Sequence, residues 1–234
     1  MKIRIKFLKQ GSMKFIGHLD MMRYFQKVMR RADVKIRYSE GFSPHQIMSF
    51  AAPLGVGITS NGEYLDIEVT ETESSAVMTN RLNQVMVDEI RVLSYKKLED
   101  SSKNAMSIVA AADYTLTFRE RYKPEDLDGF FEKLRGFYDQ NQILIVKKTK
   151  KGQKDMDLKP LIYDLARKGD AVFMKVSTGS TDNIKPELVM ESFYEGQGWE
   201  YPGFAFQIQR EEVYGRDGAE GGLIPLEQYG EDIE

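Results

Sequence analysis

Residues 15–53 read FIGHLDMMRYFQKVMRRADVKIRYSEGFSPHQIMSFAAP, and this stretch decides how the first half of the chain folds. Met21, Phe25 and Val28 recur at helical spacing, which predicts a helix from about residue 17 to residue 32 with one apolar face. Residues 34–38 then alternate between apolar and basic side chains, which is typical of a strand with one buried face. The stretch therefore predicts a helix followed by a strand.

The flanking sequence completes this pattern on both sides. An alternating strand at residues 2–8 precedes the helix. After it, the sequence predicts a strand or buried loop at 47–52, a strand at 63–69, a helix at 75–87 and a strand at 90–95. The order strand, helix, strand, strand, helix, strand is the ferredoxin-like βαββαβ arrangement, in which an antiparallel sheet carries both helices on one face.

The second half of the chain repeats a similar order of elements and adds a short helix after Asp157. We therefore predict an α+β protein made of two ferredoxin-like halves with antiparallel sheets. The expected organisation is a first domain at 1–97, a linker at 98–112, a second domain at 113–214 and an acidic, flexible tail at 215–234.

The composition excludes several classes of site. The 234 residues include no cysteine and only two histidines, so disulfides, thiolate metal sites and cysteine-held iron–sulfur clusters cannot form. We expect neither a metal site nor a bound cofactor. No apolar run approaches the roughly 20 residues of a membrane span, and the chain does not open with a signal peptide. The sequence thus predicts a cytoplasmic protein without a membrane partner.

A basic stripe on the first predicted helix is the first candidate binding surface. Arg23, Lys27 and Arg30 share a face that differs from the apolar face, and Arg31 lies next to it. One interpretation is a solvated surface with ion pairs three or four residues apart, for which Asp20 supplies an acid. The other interpretation is a surface that binds phosphate groups.

Aromatic residues follow this helix directly and favour the second interpretation. Tyr38, Phe42 and His45 surround a turn that contains Gly41 and Pro44, and Arg37 precedes it. Aromatic rings can stack on the bases of single-stranded RNA while basic side chains contact its phosphates. The outward face of the first strand would add cations to this surface, namely Lys2, Arg4 and Lys6.

A second basic cluster lies in the segment KKTKKGQKD at residues 147–155. Lys148 and Lys151 are its candidate RNA-binding residues, and Gly152 would allow the backbone to approach a ligand closely. The alternative interpretation is the solvated tip of a hairpin. Asp155 and Asp157 stand two residues apart nearby. An acid–base or metal role is one interpretation, and a helix cap with a turn aspartate is the favoured one.

His18 and His45 are the candidate catalytic residues. Histidine titrates near neutral pH and is therefore suited to general acid–base chemistry. His18 lies at the start of the first predicted helix and His45 lies in the aromatic turn. A helix-start histidine that only packs or caps is the simpler alternative for His18.

The segments FIGHLDMMRYFQKVMRRADVKIRYSEGFSPHQIMSFAAPLGVG and EYLDIEV resemble the radical SAM-linked bacterial domain of unknown function. DMDLKPLI and KPELVMESF in the second half resemble the same family. The resemblance implies a partner protein for a separately encoded radical SAM enzyme, because members are fused to such enzymes or encoded beside them. It carries no established activity and no established catalytic residues.

Three functions remain open at this level. The first is an RNA-binding or substrate-presenting subunit of a radical SAM enzyme, acting in tRNA or rRNA modification or in ribosome-related metabolism. The second is an RNA-processing enzyme that uses His45 and His18 as general acid and base. The third is a protein-docking module that binds no RNA. The expected partners are a radical SAM protein and RNA, and we expect no DNA partner.

Overall fold

The computed structural model describes residues 1–149, 152–179, 182–216, 218 and 221–234. Twelve strands and five α-helices are assigned within these ranges, so the predicted α+β class is confirmed. The elements in chain order are β1 (Lys2–Lys9), α1 (His18–Arg31), β2 (Met48–Phe50), β3 (Thr59–Glu68), α2 (Ser75–Gln84), β4 (Ile90–Leu98), α3 (Ala105–Ile108), β5 (Val109–Phe118), α4 (Leu127–Tyr138), β6 (Leu144–Thr149), β7 (Gly152–Asp157), β8 (Ile162–Lys168), β9 (Ala171–Ser177), α5 (Pro186–Gly196), β10 (Phe206–Arg216), β11 (Leu223–Pro225) and β12 (Gly230–Glu231).

The chain divides into two compact units. Unit 1 consists of Met1–Ala110 together with Arg210–Glu234, and unit 2 consists of Ala111–Gln209. In unit 1 the sheet runs in the order β12, β4, β1, β3, with β2 paired to β3 and all of these pairs antiparallel. Unit 1 thus contains both the N-terminal and the C-terminal part of the described chain.

The core of unit 1 lies between this sheet and its two longer helices. β1 sends Ile3, Ile5 and Phe7 to the helix side, where α1 buries Phe25 and α2 buries Leu82. Alternation along the strand and the 3.6-residue period of the helices place these apolar side chains against one another. The apolar periodicity on which the fold prediction rested therefore marks the real core.

Unit 2 is built around β5, β9 and β8, which pair antiparallel in that order. α4 buries Phe130 and Phe137, and the ring of Phe193 from α5 lies about edge-on to both, at 5.2 and 5.6 Å between ring centroids. β6 and β7 form a separate two-stranded hairpin. The buried aromatic residues of α4 therefore form its core face.

Two local predictions were wrong. Residues 34–38 form no strand and make only isolated bridges, Ile36 with Val69 and Tyr38 with Gln46. The segment after Asp157 is a single 3₁₀ turn, Lys159–Leu161, followed by β8 rather than by a helix. The apolar residues after Asp157 have helical spacing, but the pairing of β8 with β9 determines the structure of this segment. Tertiary context overrides weak local propensity.

The predicted linker and tail differ from the structure as well. Residues 105–118 form α3 and β5, and Ala111 and Ala112 are fully buried. In the tail, β11 pairs with β10 and β12 pairs with β4, while Leu226 between them is fully buried. The acidic composition of residues 215–234 suggested a flexible tail. The apolar residues and the backbone pairing of this segment instead join it to unit 1.

Candidate nucleic-acid interface

α1 presents its basic stripe to solvent because its apolar residues face the sheet. Met21, Phe25 and Val28 are buried. All four predicted cations of the stripe are exposed, namely Arg23, Lys27, Arg30 and Arg31. The sequence pattern therefore placed the two faces of α1 correctly.

The members of the stripe differ in their ion pairs. Arg23 contacts Asp20 at 3.0 Å, and both side chains are well exposed, so this pair adds little to stability. The side chains of Lys27, Arg30 and Arg31 make no hydrogen bond or ion pair with any described residue. Three cations on one helix therefore keep their donors available for an external anion.

The turn at residues 38–46 exposes aromatic side chains. Tyr38 and Gln46 form a bridge, and the Ser39 N–H donates to the His45 carbonyl at 2.8 Å. Gly41 has φ of +104°, a conformation that glycine adopts without strain. At the tip of this turn, Phe42 is fully exposed, at 111% of its reference area. An exposed phenylalanine ring is available for stacking.

One side chain fixes this turn beside α1. Gln46 is buried, and its Nε2 donates to the carbonyl of Gln26 in α1 at 3.4 Å. Gln26 and Arg30 are separated by one helical turn and lie on the same flank of α1. Arg37, at the base of the turn, pairs with Glu68 of β3 at 3.2 Å. The structure thus brings the aromatic turn and the basic stripe together.

The two histidines lie in separate surroundings. His18 is half-buried, with its ring edge-on to Phe50 at 5.4 Å between centroids. His45 is exposed, and its Nδ1 lies 2.9 Å from the Ser39 hydroxyl. No hydrogen bond or ring contact within the described ranges joins His18 to His45. Each histidine therefore has its own local partners, and no direct contact between the two is seen in the described residues.

The second basic cluster can be placed only in part. Lys151 lies outside the described residues. The backbone of Lys148 lies in β6, opposite Gln153 of β7, and its side chain also lies outside what the structure describes. Residues 147–149 and 152–155 are thus strands of a hairpin rather than an irregular loop.

The outward face of β1 does not join the basic surface as predicted. Arg4 is buried and binds both carboxylate oxygens of Asp66, at 2.8 and 2.9 Å. It also donates to the carbonyl of Leu226 at 3.1 Å. Lys2 donates to the carbonyls of Asp100 and Ser102. Both cations are therefore engaged by partners within unit 1.

Lys6 lies at the centre of a second, largely buried network of ion pairs and hydrogen bonds, on the same face of β1 as Arg4. It contacts Glu212 and Glu227, each at 2.7 Å, and the Tyr64 hydroxyl donates to Glu212 at 2.7 Å. Burial opposes the charge of Lys6, but the two carboxylates together outweigh burial and raise the pKa of its ammonium. Burial and the neighbouring carboxylates raise the pKa of Tyr64 far above its ordinary value. This network stabilises the sheet face.

The sequence carried one usable signal for this network. In the β1–β3 register, Arg4 lies opposite Asp66 and Lys6 lies opposite Tyr64. Cations alternate along β1, and polar residues alternate along β3. This pattern is expected when the polar faces of two paired strands lie on the same side of a sheet. The acids of the C-terminal segment, however, gave no local indication that they fold back onto β1.

Neither a metal-binding cluster nor a membrane-spanning helix occurs within the described ranges. No group of three or more His, Asp or Glu side chains there is arranged to hold a metal ion. No helix there combines the length and the apolar composition needed to cross a membrane.

Most of the chain matches the model of a known protein family. The family model described as "Uncharacterized protein conserved in bacteria (DUF2344)" matches residues 2–186, which is more than three quarters of the chain. A search of curated proteins found no match.

Proposed function

We propose that this chain, which belongs to the DUF2344 family of uncharacterised proteins conserved in bacteria, is the RNA-binding or substrate-presenting subunit of a radical SAM enzyme. In this proposal the pair acts in tRNA or rRNA modification or in ribosome-related metabolism. The chain binds a single-stranded part of the RNA and presents it, and the partner enzyme carries out the chemistry.

The observation that carries the proposal is an exposed Phe42 on a turn that is hydrogen-bonded to α1, the helix with the unpaired cations. Phe42 is fully exposed at the tip of a turn that is hydrogen-bonded to α1. Lys27 and Arg30 on α1 have no acidic partner in the described chain. A ring that stacks on a base, next to cations that contact phosphates, is the arrangement used by proteins that bind single-stranded nucleic acid.

The radical SAM partner follows from the sequence resemblance alone. Radical SAM chemistry needs an iron–sulfur cluster held by cysteines, and this chain has none. The proposal therefore assigns the cluster and the radical step to the partner, and assigns substrate binding to this chain.

The alternative of an RNA-processing enzyme has less support. A phosphodiester-cleaving pair needs an acid and a base that both reach one phosphate. His45 is bonded to Ser39 in the exposed turn, while His18 packs on Phe50. The protein-docking alternative predicts that removing the cations leaves every interaction unchanged, and the experiment below distinguishes it.

We also propose that the halves of this protein are ferredoxin-like. In residues 2–98, the order β4, β1, β3, β2 with antiparallel pairs and two intervening helices supports this assignment. In the second half, the antiparallel order β5, β9, β8 and the helices α4 and α5 support it.

The test is a binding titration with labelled single-stranded RNA of about 20 nucleotides, followed by fluorescence anisotropy. The double variant Lys27→Ala/Arg30→Ala should bind about tenfold more weakly, because two phosphate contacts are lost. Arg135→Ala is the matched control, since Arg135 is an exposed cation on α4 of unit 2. Equal affinity of the double variant and the control would overturn the proposed surface.

Sequencing of the RNA that the protein retains from a total cellular pool would then identify the substrate class. Enrichment of tRNA or rRNA that disappears in the double variant supports the proposal. Retention without any enrichment would contradict a role in presenting a defined substrate.

A further inference from the structure

A small pocket lies at the N-terminal end of α1, on the helix side of the unit 1 sheet. Its walls include Lys9, His18 and Glu63, together with the apolar side chains of Phe50 and Leu54. The cavity has a volume of about 20 Å³, which is room for about one water molecule or one ligand oxygen. The pocket shares no residue with the basic stripe or with the 38–46 turn.

Lys9 gives this pocket a buried cation with free donors. It is only 2% exposed, and its Nζ donates to the carbonyl of Ile16 at 2.7 Å. A lysine ammonium has three N–H donors, and no other acceptor for it occurs in the described chain. Burial lowers the pKa of the ammonium, as expected for a cation whose charge is incompletely compensated.

The acid in the pocket is already neutralised. Arg210 binds both carboxylate oxygens of Glu63, with its Nε 2.7 Å from Oε1, and also donates to the carbonyl of Ala52 at 2.7 Å. The charge of Glu63 is therefore balanced by a buried guanidinium. The formal charges of Lys9, Glu63 and Arg210 add up to one net positive charge in a largely buried region.

The N-terminus of α1 adds a second source of positive potential. Gly17 is the N-cap residue, and it has no side chain that could cap the helix. The backbone N–H groups of His18, Leu19 and Asp20 find no acceptor among the described residues. Free N–H groups at the start of a 14-residue helix attract anions.

Exposed apolar side chains lie around Gly17, at the start of α1 and beside the pocket residue His18. Phe15, Leu19 and Val56 are 65%, 70% and 64% exposed and come from three segments that flank Gly17. The Gly57 N–H donates to the Lys14 carbonyl at 2.8 Å, which ties the segment carrying Val56 to the segment carrying Phe15. An apolar rim around a few polar donors is typical of small-ligand sites.

From these features we propose that the pocket binds a carboxylate attached to an apolar group, with one oxygen on Lys9 and the N–H groups of α1 and the apolar part on the rim. The apolar side chains around Gly17 favour a carboxylate on an apolar group over a free phosphate, because a phosphate would place further charged oxygens against them. This function is additional to RNA binding, and it does not depend on the basic stripe.

The test uses isovalerate as the probe and observes the backbone amides of the ¹⁵N-labelled full-length chain by NMR. Saturable shifts of the His18, Leu19 and Asp20 amides with isovalerate, but not with the neutral isovaleramide, would support the proposal. Absence of any saturable shift at these amides would overturn it. Tighter binding of inorganic phosphate than of isovalerate would overturn the carboxylate assignment.

Two variants test the two halves of the site. Lys9→Met keeps the apolar stem and should weaken isovalerate binding about tenfold or more, because it removes a charge-assisted hydrogen bond. Lys14→Met is the control, since Lys14 lies in the neighbouring 3₁₀ turn and its Nζ lies over the ring of Phe15. If Lys9→Met binds isovalerate as well as the control does, Lys9 is not part of the site.

Gly17→Asp keeps the proposal testable if Lys9→Met does not fold. A Cβ at Gly17 would have only the Val56 Cγ2 within 4.0 Å, and the backbone is extended there, so aspartate fits. Its carboxylate would cap α1 and occupy the site from within, and isovalerate binding should disappear while Gly17→Ala still binds. Unchanged binding by Gly17→Asp would contradict the helix N-terminus as part of the site. RNA affinity should be unaffected in each variant, which separates this site from the proposed function.

Discussion

Phe42 illustrates how one exposed residue can serve binding without serving stability. Its ring has no contact to lose, so Phe42→Ala should change the free energy of unfolding by no more than about 0.5 kcal/mol. Loss of one stacked base costs roughly 1–3 kcal/mol of binding, so RNA affinity should fall at least about fivefold. Anisotropy titration and chemical denaturation measure the two quantities.

The control for Phe42 is Phe204→Ala. Phe204 is also an exposed phenylalanine, at 77%, but it lies in unit 2. A similar loss of RNA affinity in both variants would show that Phe42 has no special role.

Asp66 has the opposite character, because it is buried and accepts three hydrogen bonds. Two come from Arg4 and one from the N–H of Ala105 at 2.7 Å. Asp66→Ala should lower the free energy of unfolding by about 3–5 kcal/mol, since it leaves the Arg4 guanidinium buried without its counter-ion. Urea denaturation measures the loss.

Asp128→Ala is the matched comparison for Asp66. Asp128 pairs with Arg167 at 2.6 Å, but its side chain is 84% exposed. Solvent screens such a pair, and its loss should have a much smaller effect on stability. Equal losses for the two aspartates would refute the distinction between buried and surface pairs in this protein.

Tyr201 makes stability depend on pH in the alkaline range. Burial, followed by the carboxylates of Glu187 and Glu191, raises the pKa of its phenol to about 12. The phenol in the unfolded chain titrates near 10. Because the folded pKa is the higher one, the contribution of Tyr201 is complete below about pH 10 and is lost as the pH rises toward 12.

Tyr201→Phe should therefore lose less stability than the natural chain between about pH 9 and about pH 11.5. Denaturant unfolding at both pH values gives the difference. Tyr38→Phe is the control, because Tyr38 is about half exposed, at 47%. A pH dependence that Tyr201→Phe leaves unchanged would disprove the assignment to this phenol.

The C-terminal segment, residues 215–234, is the element whose structure differs most from what its acidic composition predicted. Its 3₁₀ helix, Leu226–Tyr229, lies between β11 and β12 and covers the charged face of β1. Leu226 is fully buried and also accepts a hydrogen bond from Arg4 through its carbonyl. The segment therefore acts as a cover for the sheet of unit 1.

Leu226→Ala should destabilise the protein by about 2–5 kcal/mol, as other substitutions of buried leucine by alanine do. Thermal or urea unfolding measures this. Leu223→Ala in β11 provides the comparison, because Leu223 is only partly buried and its loss should cost less. A negligible effect of Leu226→Ala would restore the interpretation of this segment as a dispensable tail.

At the scale of the whole molecule, charge distribution matters more than net charge. The chain carries a formal net charge of −3, yet the unpaired cations of α1 lie on one surface. The logarithm of the RNA affinity should fall linearly with the logarithm of the salt concentration, by about 0.7 for each phosphate neutralised. The double variant Lys27→Ala/Arg30→Ala should show a slope that is shallower by about 1.4. An unchanged slope would mean that these cations touch no phosphate.

The sequence by itself determined the features that depend on local periodicity. The apolar spacing of Met21, Phe25 and Val28 was sufficient to predict α1 and the solvent exposure of its cations. The α+β class followed from the same alternation of periods. These features were predictable because residues three or four apart in a helix, or two apart in a strand, share a face whatever the rest of the chain does.

Only the tertiary structure decided which charges are available. Arg4 and Lys6 look like exposed cations of a strand, but their side chains bind residues as distant as Asp66, Leu226 and Glu212. Pairing across such separations is specified by sheet register and by the return of the C-terminal segment, and neither leaves a local pattern in the sequence. For that reason the basic stripe could be predicted, whereas the buried networks and the pocket at Lys9 could not.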